Sequence, residues 1–478
     1  MTLEPVARKQ RSPFRSAGVV LWAAVAAGVF SFTGCGDNGP EPEPPLAHPE
    51  QPGSNDLVLQ ENVGDEPSTS FWRALRRAGT GYYFQGLLSG VAFGALDAAG
   101  RVLWSQSPDY NIAGIGVSPG DAPVLPHALL AVGGKDTDGD DELDTAIVAV
   151  VDEDGNQVDR LEWTVEDQAL VFRSIAVAAS DTASVQFLVV GEQTDASGTP
   201  TPVVATVTLL PDSTLRSDSL QVFSELTNIT FGDVVPDTPG SGWFVSGTRF
   251  DAMGELLNVV VCRVSAAREL AWLEDIVAIP GFATQTYDGA LAVTSDAVFI
   301  VGDTEVERTD ANDLPWSAGM AAALTKLGEV TWIETVDLSR WGDRFYGCQV
   351  VRGVLYAAGR YAGFANVPTE RAFGYAWLYE MDAATGEMQA HLTFGGDQHQ
   401  SGFNDISIGQ STSRAFGWTE RRESGTFRSW FVELDVGWGK PGKALAAAPR
   451  PTFDHARGVQ FERRPPETDR RGLHARTD

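Results

Sequence analysis

Seven times along this chain an apolar strand runs into a glycine. YYFQG closes on Gly86, LLAVG on Gly133, FLVVG on Gly191, WFVSG on Gly247, VFIVG on Gly302, LYAAG on Gly359 and SRAFG on Gly417. After a shorter first interval the spacing settles at 55 to 58 residues, the length of one four-stranded propeller blade with a loop insertion. Each glycine is followed by a second apolar strand, from VAFGALD in the first copy to WFVELDV in the last. Most of these lead through a tight turn, such as Asp97-Ala98-Ala99-Gly100 or Asp152-Glu153-Asp154-Gly155, into a further strand. Asp and Gly tolerate the left-handed conformations such turns need. A short apolar strand also precedes each glycine strand, as in SIAVAA from Ser174 and DISIG from Asp405. Four antiparallel strands per repeat predict an all-β fold, a single seven-bladed β-propeller, with eight blades as the alternative.

The two ends of the repeat array complement each other. After WFVELDV the chain reads GWGKPGKALAAAPRP, which offers no fourth strand, while DLVLQ at 56–60 is an orphan apolar strand ahead of the first repeat. The N-terminal strand is therefore expected to complete the last blade, so that the propeller spans 56–438 and hides its sheet edges.

The first 34 residues read as an address. Arg8, Lys9, Arg11 and Arg15 precede an apolar run from Ala17 to Phe32, the basic and apolar regions of an export signal. The run ends in Phe32-Thr33-Gly34-Cys35, which resembles the lipobox of bacterial lipoproteins; the resemblance implies that the Cys35 thiol carries lipid. Residues 35–55 are rich in proline and glutamate and form an extended tether; residues 439–478 lack periodicity and form a disordered basic tail. A signal peptide over 1–34 and a lipid anchor imply a bacterial cell-envelope protein held at the membrane and not spanning it. The formal charge of -29 repels phosphate backbones, so no nucleic acid partner is expected. Cys262 and Cys348 fall in separate repeats and are expected as buried free thiols, and the chain as a monomer.

The sharpest chemical pattern is Asp136-Thr137-Asp138-Gly139-Asp140-Asp141-Glu142-Leu143-Asp144. Carboxylates at Asp136, Asp138, Asp140 and Asp144 supply hard oxygens at alternating positions around a turning glycine, a candidate Ca2+ site. The stretch resembles the calcium loops of FG-GAP blades and, more loosely, of EF-hands, although Asp141 stands where glycine is usual. Gly116-Val117-Ser118-Pro119-Gly120 matches the nucleophile-elbow pattern, but Pro119 has no N–H for an oxyanion, so it reads as a turn. ALDAAGRVLW, residues 95–104, resembles the tryptophan-docking repeat of quinoprotein-like propellers, partly repeated at Asp382 to Gly386 and in the Gly328 to Trp332 spacing. That resemblance implies a structural role for the tryptophans, and it extends to the propeller lipoprotein of the barrel-assembly machinery, a scaffold without catalysis. The family's vicinal cysteine pair is missing here, and no quinone, haem or nucleotide is expected. His127, His391 and His399 are widely separated and show no ligand spacing.

Long connections between second and third strands, at Gly134 to Asp144, Glu192 to Pro202, Asp303 to Trp316, Arg360 to Arg371 and Thr419 to Phe427, place the elaboration on one rim. Trp316, Arg360, Tyr361, Phe364, Arg371, Arg421 and Arg422 are its aromatic and cationic candidates, a composition suited to a protein, peptide or glycan. The expected function is a non-catalytic binding or scaffolding module; the alternative is a calcium-assisted hydrolase or lyase acting at the channel mouth.

Overall fold

The computed structural model describes residues between 57 and 434, with interruptions of which the longest are 64–71 and 364–372. The signal segment, Cys35, the tether and the basic tail lie outside the described residues. Every regular element within them is a β-strand, and the strands form antiparallel sheets. Six sheets are each cut from one unbroken stretch of chain, at 72–106, 111–164, 169–222, 229–276, 284–336 and 344–394. Among the described residues there are thus six blades cut from continuous chain, which corrects the expected seven and the alternative eight, and we number them 1 to 6.

A further sheet draws on both ends of the chain: Leu57–Val63 pairs antiparallel with Thr426–Leu434, which continues through Ser413–Arg421 to His399–Ile408. This composite sheet sits between blade 6 and blade 1 and brings the number of sheets around the ring to seven. Four strands per blade is also too simple. Blade 3 has five, because its outer strand breaks into Leu215–Ser217 and Gln221–Val222, both laid on Pro200–Leu209.

The recurring glycine has a backbone cause. In each sheet it pairs with the last residue before a β-bulge on the innermost strand: Gly191 faces Phe172, Gly247 faces Phe231 and Gly359 faces Phe345. The bulge bends the inner strand and drops a carbonyl onto the glycine. A Cβ at Gly359 would lie 1.9 Å from the Arg344 oxygen, and one at Gly133 would lie 1.8 Å from that of Asn111. No side chain fits, which is why the residue recurs at blade spacing.

The core lies between sheets. Along Val185–Thr194, Phe187 and Val189 pack toward blade 2 while Leu188 and Val190 pack toward blade 4. Middle strands are buried on both faces and so read as unbroken apolar runs, whereas the outer strand Gln157–Thr164 is half exposed.

Tryptophans on outer strands fasten neighbouring blades. Trp104 Nε1 donates to the Glu153 carbonyl in the turn of blade 2 at 2.7 Å, Trp272 to Lys326 in blade 5 at 3.1 Å, and Trp332 to Ala383 in blade 6 at 3.2 Å. Each indole lies over the left-handed glycine of that turn: Gly155, Gly328 or Gly386. Where no indole docks in this way, Ser213 and Arg268 take the left-handed position instead. At blade 1 the equivalent carbonyl, that of Ala98, receives the Arg414 guanidinium at 3.3 Å, and Arg414 also lies over the Tyr82 ring. Gly328→Ala would add strain at φ 93° and set a methyl 2.9 Å from Trp272. The expected loss is about 2–3 kcal/mol in urea unfolding; Gly254→Ala, at a turn with open space beside it, carries the backbone strain alone and serves as the reference.

Candidate functional site

The acidic loop joins Leu129–Lys135 to Thr145–Val151 in blade 2. Gly139, at φ 82°, turns the chain, and its N–H donates to Asp136 Oδ1 at 2.6 Å. Asp144 accepts from the Thr137 N–H at 3.2 Å and from the Thr137 hydroxyl at 2.5 Å. The two ends of the loop are therefore pinned by its own carboxylates; Asp138 and Asp140 lie outside the described residues. Among the described residues no three His, Cys, Asp or Glu side chains gather as a metal-binding group.

Cations stand at the base of the loop. Asp109 pairs with Lys135 at 2.6 Å and with Arg160 at 2.7 Å, and these partners hold its carboxyl below the usual range. A cleft of about 440 Å³ is lined by Ser107, Asp109, Tyr110, Asn111, Lys135 and Asp136. Arg160 caps the Tyr110 ring at 5.7 Å, and burial raises that tyrosine's pKa.

The rim takes a different form from the loops expected of it. The inserts are mostly projecting β-ladder: Val185–Thr194 and Pro200–Leu209 stay paired to Thr194 and Pro200, and Ala297–Thr309 and Pro315–Thr325 to Thr309 and Pro315. The ladders run on past the apolar strand centres into polar residues, among them the buried Glu192, Asp303 and Thr304, so the sequence there resembles a loop. Trp316 pairs with Val306, and Arg421 pairs with His399 and Thr426. Arg360 is half-buried opposite Arg344 and Ala376. Tyr361 is half-buried as well, 5.7 Å from Trp377 and 6.4 Å from Tyr375, and burial pushes its hydroxyl up to about 12. Phe364, Arg371 and Arg422 lie outside the described residues. Beside Arg360, Arg344 donates to Ser317 Oγ at 3.0 Å and lies 3.6 Å from the buried carboxylate of Asp303, to which Gln285 also donates.

The remaining sequence candidates are structural. Ser118 Oγ donates to the Leu125 carbonyl at 2.5 Å and accepts from the Ala128 N–H at 2.8 Å, clasping a turn. Cys262 and Cys348 are buried free thiols whose pKa values burial raises; Asp233 and Asp405 add to the effect at Cys348. His391 stacks on Tyr379, near Trp377.

Ligand-spacing patterns did not single out the buried carboxylates that matter most to the architecture. Asp233 and Asp405 follow the bulges of their inner strands, in Phe231-Gly232-Asp233 and Phe403-Asn404-Asp405, and this Phe-x-Asp signal could have found them. Asp237, in turn, takes Arg263 at 3.0 Å and Lys326 from the next blade, both cations lying near the Phe244 ring.

No protein-family model matches the chain, and no curated protein matches it. Among solved structures it is similar to the WD40 domain of SCAP from fission yeast, at 9% identity and a TM-score of 0.38 over 80% of this chain and 92% of that one. It is similar to the β-propeller domain of the Trilobed protease from Pyrococcus furiosus, at 8% identity and 0.38 over 77% and 95%. Similarity to the Pseudomonas brassicacearum lignostilbene dioxygenase stands at 12% and 0.42 over 80% and 89%.

Proposed function

We propose that the chain is a non-catalytic binding or scaffolding propeller, lipid-anchored through Cys35 at a bacterial cell envelope, whose rim takes a protein or glycan partner. The observation that carries this reading is the set of projecting hairpins. Blades 3 and 5 extend their second and third strands as ladders, and blade 6 and the composite sheet carry theirs to Gly363 and Phe373 and to Arg421 and Thr426. In a meander sheet all such hairpins emerge on the face that also carries the links between blades. A rigid scaffold with its elaboration on one face suits recognition of an extended surface.

The test is affinity capture from envelope extracts with the full chain as bait, alongside Arg360→Glu/Arg421→Glu, in calcium and in chelator. Recovery of a defined partner that falls at least about tenfold with the double variant, at unchanged melting temperature, is the expected result for loss of two charged contacts. Equal recovery by both baits would overturn the assignment of the rim. A calcium requirement that disappears in Asp138→Ala/Asp140→Ala would bring the acidic loop into the same surface.

A further inference from the structure

Blade 6 meets the composite sheet across an apolar face. Tyr356, Ala358, Ala376 and Leu378 pack there against Phe403, Ile406, Ile408 and Ala415. Glu380 continues the series of Ala376 and Leu378 two residues further along Phe373–Asp382, directly opposite Tyr356, and is only 9% exposed. A carboxyl in that position is out of register with the chemistry of its neighbours.

We propose that Glu380 is a proton-dependent latch for the joint between blade 6 and the composite sheet. Protonated, it lies in the joint as a neutral group. Ionised, it is drawn toward water and loosens the packing of blade 6 on His399–Ile408 and Ser413–Arg421 of the composite sheet.

The groups around it set the direction. The neighbouring strand of blade 6 places the buried Tyr356 directly opposite, the outer strand pairs Ala390 with Glu380, and the composite sheet contributes Ile406, Ile408, Ala415 and, by alternation from Ala415, Ser413. Ser413 Oγ is buried without a hydrogen-bond partner among the described residues. The charged groups nearby are engaged elsewhere or exposed. Arg414 reaches over Tyr82 to blade 1, Asp382 caps its own turn through the N–H groups of Ala384 and Thr385, His391 stacks on the opposite face, and Arg352 is exposed. Burial accordingly pushes the Glu380 carboxyl up to about 7. A carboxyl whose pKa is raised on folding holds its proton better in the folded state. Its stabilising contribution is thus complete below the unfolded value and is lost as pH rises through 7.

Urea unfolding of the full chain and of Glu380→Gln at pH 5 and pH 8 tests the latch. General repulsion among the acidic residues affects both proteins alike, so the difference between them is the readout. Wild type is expected to lose on the order of a hundredfold more in its folding constant than Glu380→Gln across this interval. Hydrogen-exchange protection, corrected for intrinsic rate, should fall selectively in His399–Ile408 and Ser413–Arg421 of wild type at pH 8. Equal pH dependence in the two proteins overturns the proposal, as does a difference spread evenly over all blades. Ser413→Ala, which removes no titrating group, should retain the wild-type pH dependence; loss of that dependence would also overturn it.

Discussion

Deleting Leu57–Val63 is expected to lower the melting temperature by on the order of 10 °C. The strand pairs with Thr426–Leu434 from Leu57 opposite Leu434 to Val63 opposite Ser429. Without it Thr426–Leu434 becomes an edge strand, a row of unpaired N–H and C=O groups beside an apolar sheet. Closure through the chain's two ends also joins residues more than 360 positions apart, so the strand removes the conformational freedom of a very long loop. Calorimetry of the deleted chain should show the lower transition and a tendency to aggregate, and a peptide of residues 56–63 added in trans should recover part of the loss. An unchanged melting temperature would mean that the ring is held by its inner strands alone.

What could be read from the sequence follows from where a backbone constraint meets a side-chain identity. The glycine series is legible because the carbonyl preceding each bulge leaves no room for a Cβ, so the chain records the position in an unambiguous residue. Turn glycines such as Gly328 are legible for a second reason, the indole resting on them. Closure by residues 57–60 could be inferred because the last repeat visibly lacks a strand. The split outer strand of blade 3 could not, since LRS and QV are too short and polar to show a period.

The hairpins of the rim are hard to tell from loops for a related reason. Asp-Thr-Glu-Val-Glu-Arg-Thr in blade 5 has the composition of a loop, yet continues the ladder of a strand begun by Val298 to Val301. Of the candidate site, Asp136, Asp144, Arg360 and Tyr361 have described side chains, and Tyr361 is partly committed to the aromatic stack of blade 6. Asp233 escaped notice because a carboxylate among apolar residues on an inner strand reads as solvent-facing, whereas it is 2% exposed.

That carboxylate carries the second large expectation: Asp233→Ala should cost about 3–5 kcal/mol, because it strands buried donors and does not merely delete a bond. Asp233 Oδ1 accepts from its neighbour Val234 N–H at 2.9 Å and from Ser174 Oγ of blade 3 at 3.1 Å, while Oδ2 accepts from Leu291 N–H of blade 5 at 3.2 Å. The inner edge of a propeller blade has no further strand to pair with, and a bulge takes additional backbone groups out of the ladder. One side chain meets both needs here and ties the innermost strands of three consecutive blades. Alanine takes the carboxylate acceptor from two buried N–H groups, those of Val234 and Leu291. Asp233→Asn keeps one oxygen but turns an N–H toward another, so it should lose less than alanine and more than Ser174→Ala. Because Ser174 and Asp233 share a bond, the double variant Ser174→Ala/Asp233→Ala should fall short of the sum of the singles in urea unfolding. Additive losses would show that the carboxylate is not coupled to Ser174 and that the inner strands of blades 3 and 4 are held together by packing.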